Sequence, residues 1–385
     1  MVKIKLGDVI DFKNGKSIKK SDGVIPIYGG NGILGYTDKS NFSHTIVVGR
    51  VGAYCGSIYV EENSCWVSDN AIAGVPKEGQ DLTYLYYVLK SLNLNSKQIG
   101  SSQPLITQSM LRDMVVDIEI NIEEQKRIAN SISIIDQKIQ INNQINQELE
   151  AMAKTLYDYW FVQFDFPDQN GNPYKSSGGK MVYHPELKRE IPEGWGVAKV
   201  EDIAQTGSGG TPKSTNVSYY SNGEIPWINS GELEQTVITS TSNFITEEGL
   251  NNSSAKLFPS GTILVAMYGA TAGKVSFLTF EASTNQAICA IMLNDIRMRY
   301  YLKNVIEDLY QYLVKLSTGS ARDNLSQDMI KNIKVVIPSN DILDRYYDFS
   351  NNIIKEITKK QQENEQLTQL RDWLLPMLMN GQVKV

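Results

Sequence analysis

Three glycines near the start of the chain have the spacing of a nucleotide-binding motif. Gly30, Gly32 and Gly35 form a G-x-G-x-x-G. This motif binds a dinucleotide when a helix begins at the glycines and an acidic residue follows about 20 positions later in a βαβ unit. Residues 36–40 (YTDKS) are instead typical of a turn. The pattern therefore predicts a loop and no dinucleotide site.

Two later glycine-rich stretches come close to the phosphate-binding P-loop without meeting its requirements. In residues 207–214 (GSGGTPKS), Pro212 stands directly before the lysine, where a P-loop has a glycine whose amide faces phosphate. Proline has no amide proton. In residues 268–275 (YGATAGKV), only three residues separate Gly269 from Gly273, and a valine replaces the residue that binds magnesium. We therefore predict that neither stretch binds ATP.

Side chains that perform catalysis or bind metals are few and dispersed. The two histidines, His44 and His184, have unrelated contexts, which argues against a catalytic triad or a zinc site. The three cysteines, Cys55, Cys65 and Cys289, lack metal-ligand spacing and fit a reduced compartment. No Pro-Pro pair occurs, which excludes the Asn/Asp-Pro-Pro-aromatic motif of adenine methyltransferases. These residues indicate a recognition or assembly protein rather than a catalyst.

The length of 385 residues leaves room for two globular domains and two helical arms. No apolar run is long enough to cross a membrane, and the first residues lack the apolar core of a signal peptide. We therefore expect a cytoplasmic protein. The net charge of −6 argues weakly against nucleic acid as a partner. A DNA-binding face would therefore have to be a local patch, or a partner would have to supply much of the positive charge.

Residues 122–162 and 341–375 have the periodicity of long helices with one narrow apolar stripe. Steps of three and four residues are typical of a coiled-coil seam, and at ~1.5 Å per residue the first helix is about 60 Å long. Because neither stripe can be buried alone, we expect the two helices to pair. The stripes are Ile128, Ile132, Ile135, Ile139, Ile145, Leu149, Met152 and Leu156, then Tyr346, Phe349, Ile353, Ile357, Asn364, Leu367 and Leu374.

A polar interval interrupts the first stripe at Asn142, Asn143 and Asn146. Polar residues within a seam exchange stability for a defined register. Alternatively, these side chains face solvent. The heptad pattern leaves both interpretations open.

The chain is an internal duplication. Residues 100–118 match 319–337 without a gap, 45–60 match 262–277, and 3–17 match 197–211. In these matches we pair Asn70 with Asn285. The repeat predicts the order globular domain, long helix, globular domain, long helix. Within it we predict strands at 24–28, 45–51, 57–61 and 114–120, and a strand that runs into a polar turn over 225–233. We predict helices at 82–93, 108–113 and 299–316, and loops at 29–44 and 165–190.

The four-part order with its repeat resembles the specificity (S) subunits of type I restriction–modification systems. Residues 122–128 (IEEQKRI) are similar to the family's Glu-Gln-x-x-Ile signature. Residues 261–264, 269–273 and 285–286 resemble its target-recognition core, and 374–383 resemble its closing Leu-Leu and Gly-x-Val. At the second helix, Leu343-Asp344 stand where the first helix has Glu124-Gln125.

The resemblance implies an α+β fold with a pseudo-two-fold internal repeat. Two similar β-rich globular target recognition domains would be separated by two long helices that form an antiparallel coiled coil. The implied divisions are target recognition domain 1 (1–120), a spacer helix (121–164), a connector (165–190), target recognition domain 2 (191–340) and a second spacer helix (341–385).

The resemblance also implies partners and cofactors. Each domain would read one half of a bipartite, asymmetric target in double-stranded DNA. Two methyltransferase (M) subunits would carry S-adenosylmethionine, and restriction (R) subunits would use ATP and magnesium, so this chain would hold no cofactor and no active site. One alternative is a duplicated coiled-coil adaptor that does not bind DNA, which the acidic charge favours. A fused restriction–methylation enzyme is disfavoured by the missing motifs.

We expect the DNA-contacting side chains on loops, where binding residues concentrate. Arg, Asn and Gln make bidentate contacts to bases, whereas Ser, Thr and Lys suit phosphates. The alternatives are that Trp227 belongs to the core and that Tyr28 simply ends a strand. The predicted residues are Tyr28, Gly30, Asn31, Arg50, Tyr54, Ser101, Ser102 and Gln103 in the first domain and Lys213, Trp227, Asn229, Ser230, Tyr268, Thr271, Ser320 and Arg322 in the second.

Overall fold

The computed structural model describes residues 1–97, 105–269, 271–316 and 325–384, apart from the side chains of residues 97 and 312–316. The chain divides into two compact units, which are described separately. Unit 1 comprises Met1–Ile141 and Asn364–Val385, and unit 2 comprises Asn142–Glu363. Each unit therefore holds globular structure and one segment of each long helix.

The first globular region is built around one six-stranded sheet. Its elements are β1 (Val2–Lys5), α1 (Leu6–Val9), β2 (Ile10–Asn14), β3 (Ile25–Gly29), β4 (Gly32–Thr37), β5 (Phe42–Gly49), β6 (Ile58–Val67), β7 (Ala71–Pro76), α2 (Leu82–Ser91), α3 (Gln108–Asp113) and β8 (Val115–Ile118), followed by α4 (Ile122–Tyr157). The sheet order is β2-β7-β5-β6-β3-β4, and β3 and β6 run parallel. Strands β1 and β8 form a separate antiparallel pair.

The second globular region repeats this plan with its sheet divided in two. Its elements are β9 (Met181–His184), β10 (Arg189–Pro192), β11 (Gly196–Lys199), α5 (Val200–Ile203), β12 (Ala204–Ser208), β13 (Ile225–Ile228), β14 (Val237–Ile238), β15 (Phe244–Ile245), α6 (Glu247–Asn251), β16 (Leu257–Phe258), β17 (Ile263–Ala266), β18 (Val275–Leu278), β19 (Ala282–Thr284), β20 (Ile288–Leu293), α7 (Arg299–Leu316), α8 (Gln327–Lys331) and β21 (Lys334–Ile337), followed by α9 (Asn340–Met379). The sheet orders are β12-β20-β17-β18-β14 and β15-β13-β19-β16.

Matching hydrogen bonds confirm the predicted duplication. The strand pair β1–β8 has its counterpart in β11–β21, and β2–β7 in β12–β20. Single backbone bonds repeat as well: Leu6 N to Met114 O (2.9 Å) with Val200 N to Ile333 O (3.0 Å), and Ile106 N to Arg50 O (3.0 Å) with Leu325 N to Met267 O (2.8 Å). The two globular regions therefore share one hydrogen-bonding scheme.

One predicted correspondence is wrong. Asn285 N donates to Ile228 O at the end of β13, and the same bond in the first repeat runs from Ser68 N to Tyr28 O, each at 2.9 Å. Asn285 therefore corresponds to Ser68, not to Asn70. The sequences alone favoured the identical residue pair, whereas strand pairing fixes the register two residues away.

The two predicted long helices are present as α4, which continues as a π-helical turn over Asp158–Val162, and as α9. In unit 1, Ile128 and Ile132 share a buried cluster with Leu375 and Leu378. In unit 2, the rings of Trp160 and Tyr346 lie 6.0 Å apart. Further along α4 in unit 1, Asp136 accepts from Arg371, which lies earlier on α9 than Leu375. In unit 2, Asn142 Nδ2 donates to Glu363, and the later Trp160 meets the earlier Tyr346. Within each unit the two helix segments therefore run antiparallel.

The helix stripes differ from the prediction at two positions. Met152 is 54% exposed and Phe349 is 39% exposed, so neither lies in a seam. Ala153 packs in place of Met152, because the stripe drifts by one residue along a straight helix. Asn142 and Asn146 are buried and Asn143 is exposed, which resolves the open alternative in favour of the seam for two of the three residues.

Two predicted loops contain strands. Residues 29–44 include β4, which forms a hairpin with β3 across a turn where Gly32 has a φ of 93°. Residues 165–190 hold β9 and the start of β10, and Phe166 in this segment is buried and stacks on Trp195 at 4.8 Å. Glycine-rich and polar compositions hid both hairpins, because such compositions are also typical of loops.

The six-stranded sheet and the five-stranded sheet each bury one face beneath a helix. Ile46 and Val48 of β5 share a core with Leu85 of α2, and Ile263 of β17 shares a core with Leu302 of α7. These helices match the predicted helices at 82–93 and 299–316. No helix within the described ranges is both long and apolar enough to span a membrane.

Candidate nucleic-acid interface

In the first repeat, three predicted residues meet where β3, β5 and β6 end. The Ser57 hydroxyl donates to the Gly30 carbonyl, and a Cβ placed on Gly30 would lie 3.7 Å from Tyr54 Cβ. Arg50 N donates to Asn70 O at 2.9 Å. Tyr54 is 56% exposed and Arg50 is half-buried, so this end of the sheet presents an aromatic ring to solvent.

The other two described candidates of this region have different environments. Tyr28 is buried, and its hydroxyl donates to Glu61 Oε2 at 3.1 Å. Burial and the neighbouring Glu61 carboxylate raise the pKa of Tyr28 well above its ordinary value. Asn31 is exposed at the tip of the β3–β4 hairpin. Tyr28 is therefore occupied within the fold, while Asn31 is open to solvent.

The second repeat gathers Asn229, Ser230 and Thr271 at the corresponding end of its sheets. The Thr271 hydroxyl donates to Ser230 O at 2.8 Å, as Ser57 does to Gly30 in the first repeat. Asn285 Nδ2 lies 3.4 Å from Asn229 Oδ1. Both repeats thus have a hydroxyl bond to the equivalent strand-end carbonyl, from donors at different positions, and in each repeat this bond holds two loops together.

The remaining described candidates surround this group. Trp227 is buried, and its indole N–H donates to Gly210 O at 2.9 Å. Lys213 and Tyr268 are exposed, on the loop after β12 and the loop after β17. Five predicted residues, Ser101, Ser102, Gln103, Ser320 and Arg322, lie outside the described residues.

The turn between β6 and β7 and its counterpart between β19 and β20 were not among the predicted DNA-contacting residues. They contain Asp69 and Asn70 between β6 and β7, and Gln286 between β19 and β20; all three are exposed. The signal in the sequence was the repeat itself, but matching Asn70 to Asn285 placed the two turns out of register. With the corrected register, Asp69 corresponds to Gln286.

The described residues offer neither a metal site nor an activated thiol. No group of three His, Cys, Asp or Glu side chains with metal-binding geometry occurs in the described ranges. Burial raises the pKa of Cys65 and of Cys289 to about 12, so both thiols stay protonated near neutral pH.

These features define a duplicated protein of mixed helix and sheet, with polar loops gathered at one end of each sheet. Residues 1–151 and 192–369 match the family described as "Type I restriction modification DNA specificity domain". The chain belongs to this family. The resemblance inferred from the sequence is therefore confirmed.

Several known proteins are similar along most of the chain. The type I restriction enzyme MjaIX specificity subunit of Methanocaldococcus jannaschii is 28% identical over 320 residues, which covers 81% of this chain and 71% of that protein. The HindI specificity subunit of Haemophilus influenzae is 27% identical over 342 residues and covers 74% of each chain. Both relatives are specificity subunits of type I restriction enzymes.

One solved structure supports the fold. The type I restriction–modification S subunit from M. genitalium aligns with a TM-score of 0.63 over 98% of this chain and 96% of that chain. The identity is 18%, so this comparison concerns the architecture alone.

Proposed function

We propose that this chain is the sequence-specific DNA-recognition subunit of a type I restriction–modification complex. The observation that carries the proposal is the repeat of one polar loop cluster, held by Ser57 and Gly30 in one copy and by Thr271 and Ser230 in the other. Two similar readers in one chain suit a bipartite target. Because the loops differ in sequence, the two half-targets differ, and the target is asymmetric.

The proposed readers are residues 1–120 and 191–340, with spacer helices at 121–164 and 341–385 and a connector at 165–190. The polar candidates, among them the exposed Asn31 and Lys213 and the half-buried Arg50, would face double-stranded DNA. Arginine and asparagine can make bidentate contacts to base edges, and lysine suits phosphates. Trp227 and Tyr28 would support the loops from beneath.

The chemistry of modification and cleavage would belong to partner subunits. Two methyltransferase subunits would bring S-adenosylmethionine and methylate adenine, and restriction subunits would bring ATP and magnesium. This chain would contribute neither catalytic residue nor cofactor. Its family membership supports this division, since its relatives are specificity subunits.

Duplex binding by the assembled complex tests the proposal. The chain is co-expressed with the methyltransferase subunit of its own system, and affinity is measured for duplexes that contain or lack the methylated target. We expect selective binding that weakens as salt rises, because phosphate contacts release counterions. A complex that assembles but binds no duplex would identify the chain as a DNA-independent adaptor.

A further inference from the structure

The glycine-rich stretch at 207–214, which cannot serve as a phosphate loop, is fixed against the end of β19. Gly210 N donates to Thr284 O at 2.8 Å. A Cβ placed on Gly209 would lie 2.0 Å from Thr284 O, so only glycine permits this approach. The indole N–H of Trp227 donates to Gly210 O at 2.9 Å. Three backbone constraints therefore set the position of the next residue, Thr211.

Thr211 orients a glutamine on the neighbouring turn. Its hydroxyl donates to Gln286 Oε1, and the Ser208 hydroxyl lies 3.4 Å from the Gln286 carbonyl oxygen. Gln286 is exposed, and its Nε2 makes no hydrogen bond to any described residue. A carboxamide oxygen can accept a second hydrogen bond. The side chain is therefore held by one contact while both polar ends remain available to a ligand.

The first repeat supports its glycine turn in the same way. Lys16 N donates to Val67 O at 3.0 Å, and a Cβ on Gly15 would lie 2.0 Å from Ser68 O. Lys16 O accepts from the indole N–H of Trp66 at 2.6 Å. Lys16 corresponds to Gly210, so both repeats fix the same carbonyl with a tryptophan.

The two tryptophans come from different strands. Trp66 on β6 pairs with Ile27 on β3, whereas Trp227 on β13 pairs with Ser283 on β19. The indole has therefore changed strands between the repeats while its acceptor has stayed the same. The same carbonyl is thus held by an indole from a different strand in each repeat. This indicates that the position of the glycine turn matters for the adjoining turn, which carries Asp69 in one repeat and Gln286 in the other.

We propose that Gln286 is a specificity-determining residue that reads an adenine in the half-target of the second repeat, and that Thr211 is its positioning residue. The proposal rests on the proposed function. A glutamine side chain accepts from adenine N6 and donates to N7 in the major groove. Asp69, at the same position of the first repeat, can only accept when ionised and suits cytosine N4.

Sequencing the methylated sites made by the complete complex tests this assignment. The chain is co-expressed with its methyltransferase in a host without competing methylation, and wild type is compared with Q286A, Q286E, T211A and T211S. In Q286A we expect one adenine of the second half-target to lose its preference by about 5- to 150-fold, the range of one bidentate contact. The first half-target should remain unchanged.

The other variants separate reading from positioning. Q286E keeps the shape but cannot donate to N7, so it should also lose the adenine preference. T211A should relax the same base more weakly, and T211S, which retains a hydroxyl, should restore it. An unchanged second half-target in both Q286A and Q286E overturns the reading role, and wild-type specificity in T211A overturns the positioning role. If wild type methylates no defined target, the proposed function itself fails.

Discussion

Two glycines allow backbone segments to approach each other more closely than any other residue would permit. Gly209 in unit 2 and Gly15 in unit 1 each leave only 2.0 Å between an added Cβ and a carbonyl oxygen. Neither has the left-handed backbone that often explains a glycine. Glycine is required at both positions because the backbone segments pack closely, and a sequence does not reveal such a contact.

Replacing Gly209 by alanine should destabilise unit 2 by about 1–3 kcal/mol, because the backbone must move to relieve the overlap with Thr284. Thermal unfolding measured by calorimetry detects this change. Gly231 provides the matched control, since a Cβ there meets nothing within 4 Å. G231A should stay within about 0.5 kcal/mol of wild type. Equal effects of the two substitutions would contradict the packing argument.

Of the candidate site, the sequence could show residue types and their repetition but not their surroundings. Trp227 and Tyr28 are residue types that often contact DNA, yet here their polar groups donate to Gly210 and Glu61 within the fold. For Gln286 the sequence showed only that residues 285–286 resemble the family's target-recognition core, because its contact with Thr211 depends on a turn 75 residues away. Contacts between distant segments decide these roles.

At the scale of elements, three helices of unit 1 are joined by one charged cluster. Asp136 of α4 accepts from the hydroxyl of Tyr87 of α2 at 2.8 Å and from Arg371 of α9 at 2.9 Å. Lys90 lies 3.5 Å from the same carboxylate. Burial alone would raise the pKa of Asp136, but these partners outweigh it and lower the pKa below its ordinary value.

Unit 2 has a cavity of about 620 Å³ at the equivalent place. Aligned by their buried positions, α2 corresponds to α7 and α4 corresponds to α9, so the four cluster positions can be compared directly. Tyr87, Lys90, Asp136 and Arg371 are replaced by residues that all line the cavity: Asn304, Glu307, Ile354 and Ala153. The charged cluster of unit 1 therefore has no counterpart at these four positions of unit 2.

Replacing Asp136 by asparagine should lower the stability of unit 1 by about 1–2 kcal/mol, because Arg371 loses its charged acceptor in a partly buried site. Chemical denaturation at neutral pH measures the loss. The double variant D136N/R371Q should cost less than the sum of its single variants. Additive effects would show that the two side chains do not interact.

The same pair predicts a pH dependence. Because the folded-state pKa of Asp136 is lowered, its contribution is complete above the unfolded value of about 4 and is lost as pH falls through the folded value. The difference in unfolding free energy between wild type and D136N should therefore be constant from about pH 5 to about pH 7 and should shrink below about pH 4. A difference that persists unchanged to pH 2 would contradict this assignment.

Most elements could be predicted because their signals are local. The apolar periodicity of α4 and the Thr107 cap of α3, which accepts from Met110 N at 3.2 Å, are written in adjacent residues. Strand β4 and the β9–β10 hairpin could not be predicted in this way. Each strand pairs with its neighbour in a hairpin, but the surrounding Gly-, Asn-, Ser- and Pro-rich sequence is typical of a loop.

At the scale of the whole molecule, the repeated hydrogen-bonding scheme makes each globular region a self-contained reader under the proposed function. Exchanging residues 1–120 for the equivalent region of a relative should change one half of the methylated target and leave the other half intact. Sequencing of methylated sites in cells that carry the chimera measures both halves at once.

The reciprocal exchange of residues 191–340 is the matched control and should alter the other half alone. Changes in both halves after either exchange would show that the two regions read the target jointly.

The strand exchange of the tryptophans has a consequence for recombination between the two halves of the gene. A crossover that joins the β3 equivalent of one copy to the β6 equivalent of the other yields either two indoles for one carbonyl, Trp227 with Trp66, or none, Ile27 with Ser283. Such hybrid chains would be selected against, although each of their segments comes from a functional domain. Tolerated breakpoints should therefore fall outside the interval between these strands.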